Sequence, residues 1–159
     1  HHIFYFTFMF LITDILDKKD INILLKYWKD QNDRVRYEEQ YYNLHDLHMI
    51  YGSREDKSYN NVLTKLEDIS GHKAKRHYLL NYTKGSFCRM HHDATEYNTY
   101  VTLLEENDLE GGEVLTGDEK RCIDVRYAKV GQTMIYDNGL QHGVANVRKG
   151  NRKVFIVWF

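Results

Sequence analysis

Hydrophobic positions along the chain follow one period up to about Gly71 and another beyond it. Behind Asp17, a helix-capping residue type, Ile21, Leu24, Leu25 and Trp28 fall at i, i+3, i+4 and i+7, which predicts an amphipathic helix with one apolar stripe. Tyr59, Val62, Leu63, Leu66 and Ile69 repeat that spacing after Ser58, with Gly71 as the C-terminal stop. Ahead of both helices, Ile3 to Ile12 is continuously apolar and reads as a buried strand. It is too short to span a bilayer and lacks the basic flank and cleavage site of a signal peptide. Between the helices, residues 34–57 are polar, aperiodic and studded with Tyr37, Tyr41, Tyr42, His45, His48 and Tyr51, the pattern of an irregular lid or binding loop.

From Ala74 onward the period becomes two. Short strands are predicted over 74–82, 86–92, 97–104, 112–115, 121–128, 132–137, 141–147 and 152–159. Lys84-Gly85, Gly111-Gly112, Thr116-Gly117-Asp118, Asn138-Gly139 and Lys149-Gly150-Asn151 act as turns between them. Many short strands at this spacing predict a mainly β (α+β) architecture, a sandwich, jelly roll or barrel, supported by the N-terminal helices. The length of 159 residues fits one domain, with 1–73 as support and lid and 74–159 as the β core.

Composition narrows the function classes. A net charge of −1 predicts no nucleic-acid partner, and no segment predicts a membrane. Two cysteines, Cys88 and Cys122, are too few for a disulfide framework, so a reducing compartment, the cytoplasm, is expected. Both are expected to be ordinary thiols without a histidine context. Proline is absent, which excludes collagen-like and proline-rich classes. His1 and His2 read as remnants of a purification tag.

Candidate chemistry gathers in CRMHHDAT and LQHGVANVRKGNR. On a strand, residues i and i+2 share a face, so His91 and Asp93 can converge on one ion while His92 points away. His142, on a strand returning beside the first, would complete two imidazoles and one carboxylate, the facial triad of non-haem Fe(II) oxygenases. A bare His-x-Asp pair is expected by chance roughly 0.7 times in such a composition, so order and context carry the reading.

That context resembles the 2-oxoglutarate and Fe(II)-dependent dioxygenases, and within them the small single-domain prolyl 4-hydroxylase group of microbial or viral type. The resemblance rests on Tyr82-x-x-Gly85 leading to His91-x-Asp93, Asp108-Leu-Glu-Gly-Gly-Glu113, Gly131-Gln-Thr-Met-Ile-Tyr136, and His142-Gly-Val-x-x-Val147-x-x-Gly150-x-Arg152 leading to Trp158. It implies a double-stranded β-helix, a jelly-roll variant. It implies His91, Asp93 and His142 as iron ligands and Arg152 as partner of the distal carboxylate of 2-oxoglutarate. Tyr82 and Thr102 are implied as further cosubstrate contacts. Fe(II), 2-oxoglutarate and O2, with ascorbate as reductant, are the implied cofactors, and the implied reaction couples decarboxylation of 2-oxoglutarate to hydroxylation of an unactivated C–H bond.

The substrate so implied is a prolyl residue of a peptide or protein, gripped under the tyrosine-rich segment 37–51 as aromatic grooves grip polyproline. The alternatives are the same chemistry on a free amino acid or another side chain, and a non-catalytic cupin-like metal-binding module. Two positions depart from the family pattern. Val154 stands where a small hydroxyl residue is common, and Asn146 where a proline is common. Asp93 argues against a halogenase, and Trp158 against the nucleic-acid repair oxygenases, which carry an arginine there. The other candidates have plainer readings: His72 and His77 as structural or solvent-facing, and the Arg148, Lys149, Arg152 and Lys153 cluster as for the most part a solvated strand edge.

Overall fold

The computed structural model describes residues 10–32, 35–36, 48–117 and 123–159. The elements are β1 (Phe10–Thr13), α1 (Lys18–Asp30), β2 (Val35–Arg36), β3 (His48–Tyr51), α2 (Lys57–Ser70), β4 (Arg76–Tyr82), β5 (Cys88–His91), β6 (Asn98–Gly111), β7 (Val114–Gly117), β8 (Ile123–Arg126), β9 (Thr133–Asp137), β10 (Gln141–Val144) and β11 (Val147–Trp158). They form a seven-stranded sheet in the order β1-β9-β6-β11-β4-β3-β2 and a four-stranded sheet in the order β5-β10-β7-β8. Their antiparallel pairs and alternating connectivity are those of a double-stranded β-helix.

Period-two alternation on the large sheet explains the packing. Val154 and Ile156 of β11 join Tyr78, Tyr82, Val101 and Met134 in the core between the two sheets. Phe155 and Val157 point the other way, into a second core with Leu79, Tyr100, Leu104 and the helices. A central strand buried on both faces reads as an unbroken apolar run, which is why VFIVWF closes the chain. Helix α1 starts at Asp17, whose carboxylate accepts from the N–H of Asp20 while that of Asp20 accepts from the Asp17 N–H, a reciprocal cap. Helix α2 ends at Gly71, in the left-handed conformation at φ 77°.

Several expectations are corrected. Residues 3–9 lie outside the described residues, and the end of that apolar run is the edge strand β1, not a buried one. Phe10 stacks on Tyr136 while Leu11 is 48% exposed, because an edge strand is covered on one face only. The 34–57 segment is not irregular throughout. Its ends pair as β2 and β3 and extend the large sheet, while Tyr37, Tyr41, Tyr42 and His45, and with them the lid reading, lie outside the described residues. Helix α2 begins at Lys57, capped by Asp56, and its Ile69 is exposed. The last turn is instead anchored by buried Glu67, which accepts hydrogen bonds from Arg54 at 2.9 and 2.8 Å and from the Ala74 N–H. Lys149-Gly150-Asn151 is not a turn between strands. It is a bulge inside β11, where a Cβ on Gly150 would lie 2.0 Å from the carbonyl oxygen of Asn107.

Candidate metal centre and adjoining cavity

The pairing of β5 with β10 sets His91 directly opposite His142. Gly143 permits the close approach, since a Cβ there would stand 2.7 Å from the Cys88 carbonyl oxygen. Asp93 follows β5 by two residues and turns its Oδ1 to both rings, 3.1 Å from His91 Nε2 and 3.3 Å from His142 Nε2. One nitrogen or oxygen from each of the three lies within 4.8 Å of the others, the only such cluster of potential ligands among the described residues.

The surroundings orient these donors. His91 Nδ1 lies 2.7 Å from the Arg89 carbonyl oxygen and His142 Nδ1 lies 2.9 Å from that of Leu140. A carbonyl only accepts, so each Nδ1 carries the proton and each Nε2 lone pair is free to face the centre. The hydroxyl of Thr99, itself fully buried, donates to Asp93 Oδ2 at 2.8 Å and leaves Oδ1 for the cluster. Burial opposes ionisation of Asp93, but hydrogen bonds from His142 and His91 prevail and hold its carboxyl well below the usual range. Burial likewise opposes charging of His91, yet its bonds to Asp93 and Cys88 raise it to about 10. Without a metal the cluster holds a proton between its donors. Two neutral imidazoles and one carboxylate, with their far sides hydrogen-bonded, fit a divalent iron-type cation.

A cavity of about 40 Å³ opens inward from this cluster between the sheets, with Tyr82, Tyr136 and Arg152 among its walls. Arg152 is only 3% exposed, and no side chain among the described residues pairs with its guanidinium, whose recorded neighbour is the Tyr82 ring at 5.7 Å. Desolvation lowers its pKa, and the attraction of Glu106 opposite it on β6 offsets that only in part. Val101, Met134, Val154 and Ile156 line the remainder with apolar surface.

His91, Asp93, His142, Arg152 and Tyr82 thus share one site, with Tyr82 directly opposite Arg152 across β4 and β11. Thr102 does not join them. Val101 and Leu103 face the inter-sheet core, so Thr102 turns toward the helices, where its hydroxyl shares a hydrogen bond of 2.7 Å with Thr133. Cys88 is also corrected. Its sulfur lies 3.4 Å from His91 Nδ1 and lines the cavity, because the end of β5 folds the two side chains together. Cys122 lies outside the described residues. His92 faces away toward Gln141, His77 bonds the Tyr59 hydroxyl at 2.7 Å, and His72 stacks on Tyr97. Lys153 pairs with Glu105 on the opposite side from Arg152. Sequence reasoning missed Thr99 and Tyr136, although Tyr136 ends a stretch already singled out.

A double-stranded β-helix with this donor set at the mouth of an inter-sheet cavity defines the architecture of a non-haem Fe(II) oxygenase. Residues 77–159 match the family described as the 2OG-Fe(II) oxygenase superfamily, and the chain belongs to it. No curated protein matches by sequence. Among solved structures, an oxidoreductase of the 2OG-Fe(II) oxygenase family from Burkholderia pseudomallei is 16% identical, with a TM-score of 0.75 over 94% of this chain and 84% of that one. A Pseudomonas putida prolyl-4-hydroxylase is 13% identical, with a TM-score of 0.68 over 96% of this chain and 92% of that one. A prolyl hydroxylase from Trichoplax adhaerens, in complex with a peptide fragment of the hypoxia inducible factor oxygen degradation domain, is 11% identical, with a TM-score of 0.68 over 94% and 83%. At these identities the likeness is one of fold.

Proposed function

We propose that the protein is a 2-oxoglutarate- and Fe(II)-dependent hydroxylase whose substrate is a prolyl residue of a peptide or protein. The observation that carries this reading is a buried, unpaired Arg152 in the same cavity as the His91, Asp93 and His142 cluster. A pure metal-binding module has no use for a desolvated guanidinium beside its metal. A dicarboxylate that meets the metal at one end and the planar fork of Arg152 at the other makes sense of both.

His91 Nε2, Asp93 Oδ1 and His142 Nε2 hold the ion, and the carbonyls of Arg89 and Leu140 with the Thr99 hydroxyl hold the ligands. Bound iron supplies the redox chemistry that couples decarboxylation of 2-oxoglutarate to hydroxylation of a C–H bond. Arg152 orients the cosubstrate, and the apolar walls keep water from the reacting centre. Ascorbate belongs to the proposal as the reductant that keeps the ion ferrous. Prolyl specificity draws support from two fold neighbours that are prolyl hydroxylases, one with a bound peptide.

The test is succinate formation from 2-oxoglutarate with Fe(II), accompanied by gain of one oxygen atom on proline-containing peptides. Turnover on unrelated peptides or free amino acids alone would keep the chemistry and refute the substrate. No turnover, with iron binding indifferent to 2-oxoglutarate, would leave a metal-binding module.

A further inference from the structure

β8 closes one side of the four-stranded sheet, and among the described residues no strand pairs with its outer edge. Such an edge presents a row of unpaired N–H and C=O groups, and monomeric proteins blunt it with proline, lysine or a bulge. None of these interrupts Ile123-Asp124-Val125-Arg126-Tyr127, and β8 pairs with β7 without a register shift. Val125 lies opposite Leu115, so Ile123 and Val125 turn to the outer face of the sheet. Asp124 and Arg126 turn inward, where Arg126 bonds the Thr116 hydroxyl at 3.3 Å and covers the Phe10 ring. Ile123, Val125 and Tyr127 are 57%, 47% and 74% exposed, so one short segment leaves three large apolar side chains in water at an open edge.

The charges on this segment complement themselves. Directly opposite residues in an antiparallel pair share a face of the sheet, so a two-fold axis relating β8 to β8 of a second copy must pass through a single residue. Near the middle of the segment that residue is Asp124, Val125 or Arg126. An axis at Asp124 sets two carboxylates directly opposite each other, and one at Arg126 sets two guanidiniums so; like charges at facing positions are destabilising. An axis at Val125 sets Asp124 opposite Arg126 of the second copy, twice, with Val125 against Val125 and Ile123 beside Tyr127. Opposite charges and aromatic with β-branched side chains are the favourable cross-strand pairs. The contact of Asp124 with Arg126 inside one copy, at 3.3 Å with Asp124 69% exposed, is a surface ion pair of little worth, so sharing it across the axis forfeits little.

We propose that the protein forms a two-fold symmetric dimer by antiparallel pairing of β8 with β8 of a second copy, centred on Val125, which joins the two four-stranded sheets into one of eight strands. The interface is isologous, each copy giving the same residues. His91 and His142 lie on β5 and β10, on the far side of β7 from this edge, so both metal centres stay open in the dimer. A pairing of so few residues is a small interface, and the dimer is correspondingly weak and concentration-dependent.

The experiment is sedimentation velocity over roughly 10 µM to 1 mM protein, the range in which a small interface associates. The wild type is expected to pass from monomer to dimer. Val125→Lys sets two ammonium groups against each other at the axis and should weaken association about tenfold or more, like charges across an interface being costly. Asp124→Arg and Arg126→Asp each put like charges opposite and should each be monomeric alone, whereas their equimolar mixture should form a heterodimer. Mn(II) binding, unchanged in all three variants, reports an intact fold. A wild type that stays monomeric throughout overturns the proposal, as does a dimer that Val125→Lys leaves intact. Swapped variants that associate alone as well as the wild type does, or whose mixture does not associate, overturn the register and the dimer built on it. If Arg126→Asp loses Mn(II) binding through its place on Phe10, Val125→Lys and Asp124→Arg decide alone. A monomer whose edge instead binds a proline-containing peptide, with that binding lost in Val125→Lys, gives the edge to substrate and refutes the dimer.

Discussion

Replacing Arg152 with Met removes a cation that the fold buries without an anion, so the ligand-free protein should become more stable while losing its cosubstrate. Arg152 is 3% exposed, the Tyr82 ring lies 5.7 Å from its guanidinium, and no carboxylate among the described residues forms an ion pair with it, the nearest acid in register being Glu106 opposite it on β6. Exchanging buried ion pairs for apolar residues of similar volume is neutral or stabilises proteins by about 1–4 kcal/mol, and here only the attraction of Glu106, which forms no ion pair with Arg152, is forfeited. A gain of about 2 kcal/mol corresponds to a rise in Tm of roughly 4–8 °C in a domain this size. The wild type should regain that deficit on binding. Saturation with Mn(II) and 2-oxoglutarate at a hundred times Kd adds about 2.7 kcal/mol, and the variant should show none of the part due to 2-oxoglutarate. Thermal unfolding of both proteins, with and without ligands, reads all four states. An Arg152→Met variant that melts below the ligand-free wild type, yet is still stabilised by 2-oxoglutarate, would refute the argument on both counts.

Thr99→Val keeps the shape of the side chain and removes the donor to Asp93 Oδ2. Metal affinity, titrated with Mn(II) or Co(II), should fall about tenfold, and Thr99→Ser should restore it. Gly143→Ala places a Cβ 2.7 Å from the Cys88 carbonyl oxygen, so β10 must back away from β5. Stability should drop by about 1–3 kcal/mol in urea, with metal affinity falling alongside because His142 moves from His91. Burial would raise the Glu67 pKa, but Arg54 and the Ala74 N–H hold it below the usual carboxylate range. Its contribution is therefore present above about pH 4.5 and lost as the pH falls through the folded value. Glu67→Gln should cost roughly 1 kcal/mol at neutral pH, after screening at half-exposed Arg54, and the gap to wild type should narrow as the solution is acidified in denaturation curves.

How far the site was legible depends on how far strand parity can be counted. His91 closes β5 and Asp93 lies two residues past it, so their shared direction is a count of two that needs no knowledge of the partner, and Arg152, Val154 and Ile156 share a face by the same count. Thr102 failed because its face is set by pairing with β11, and that ladder slips in register at three places, between Val147 and Lys149, Lys149 and Asn151, and Lys153 and Val154. Each slip can exchange the two faces, so a count from Gly111-Gly112 back along β6 loses its phase. The same bulge made Lys149-Gly150-Asn151 look like a turn: the glycine is there for φ 76° and a close carbonyl, features that turns and bulges share. Thr99 has the opposite parity to Thr102 and meets Asp93 only because residues 94–97 bring the chain back beside β5, a path no periodicity records. Tyr136 was hidden by abundance. Among 13 tyrosines, what marks it is not its type but its place in the cavity wall, its ring 4.2 Å from that of His142, and that place exists only once the sheets have closed around it.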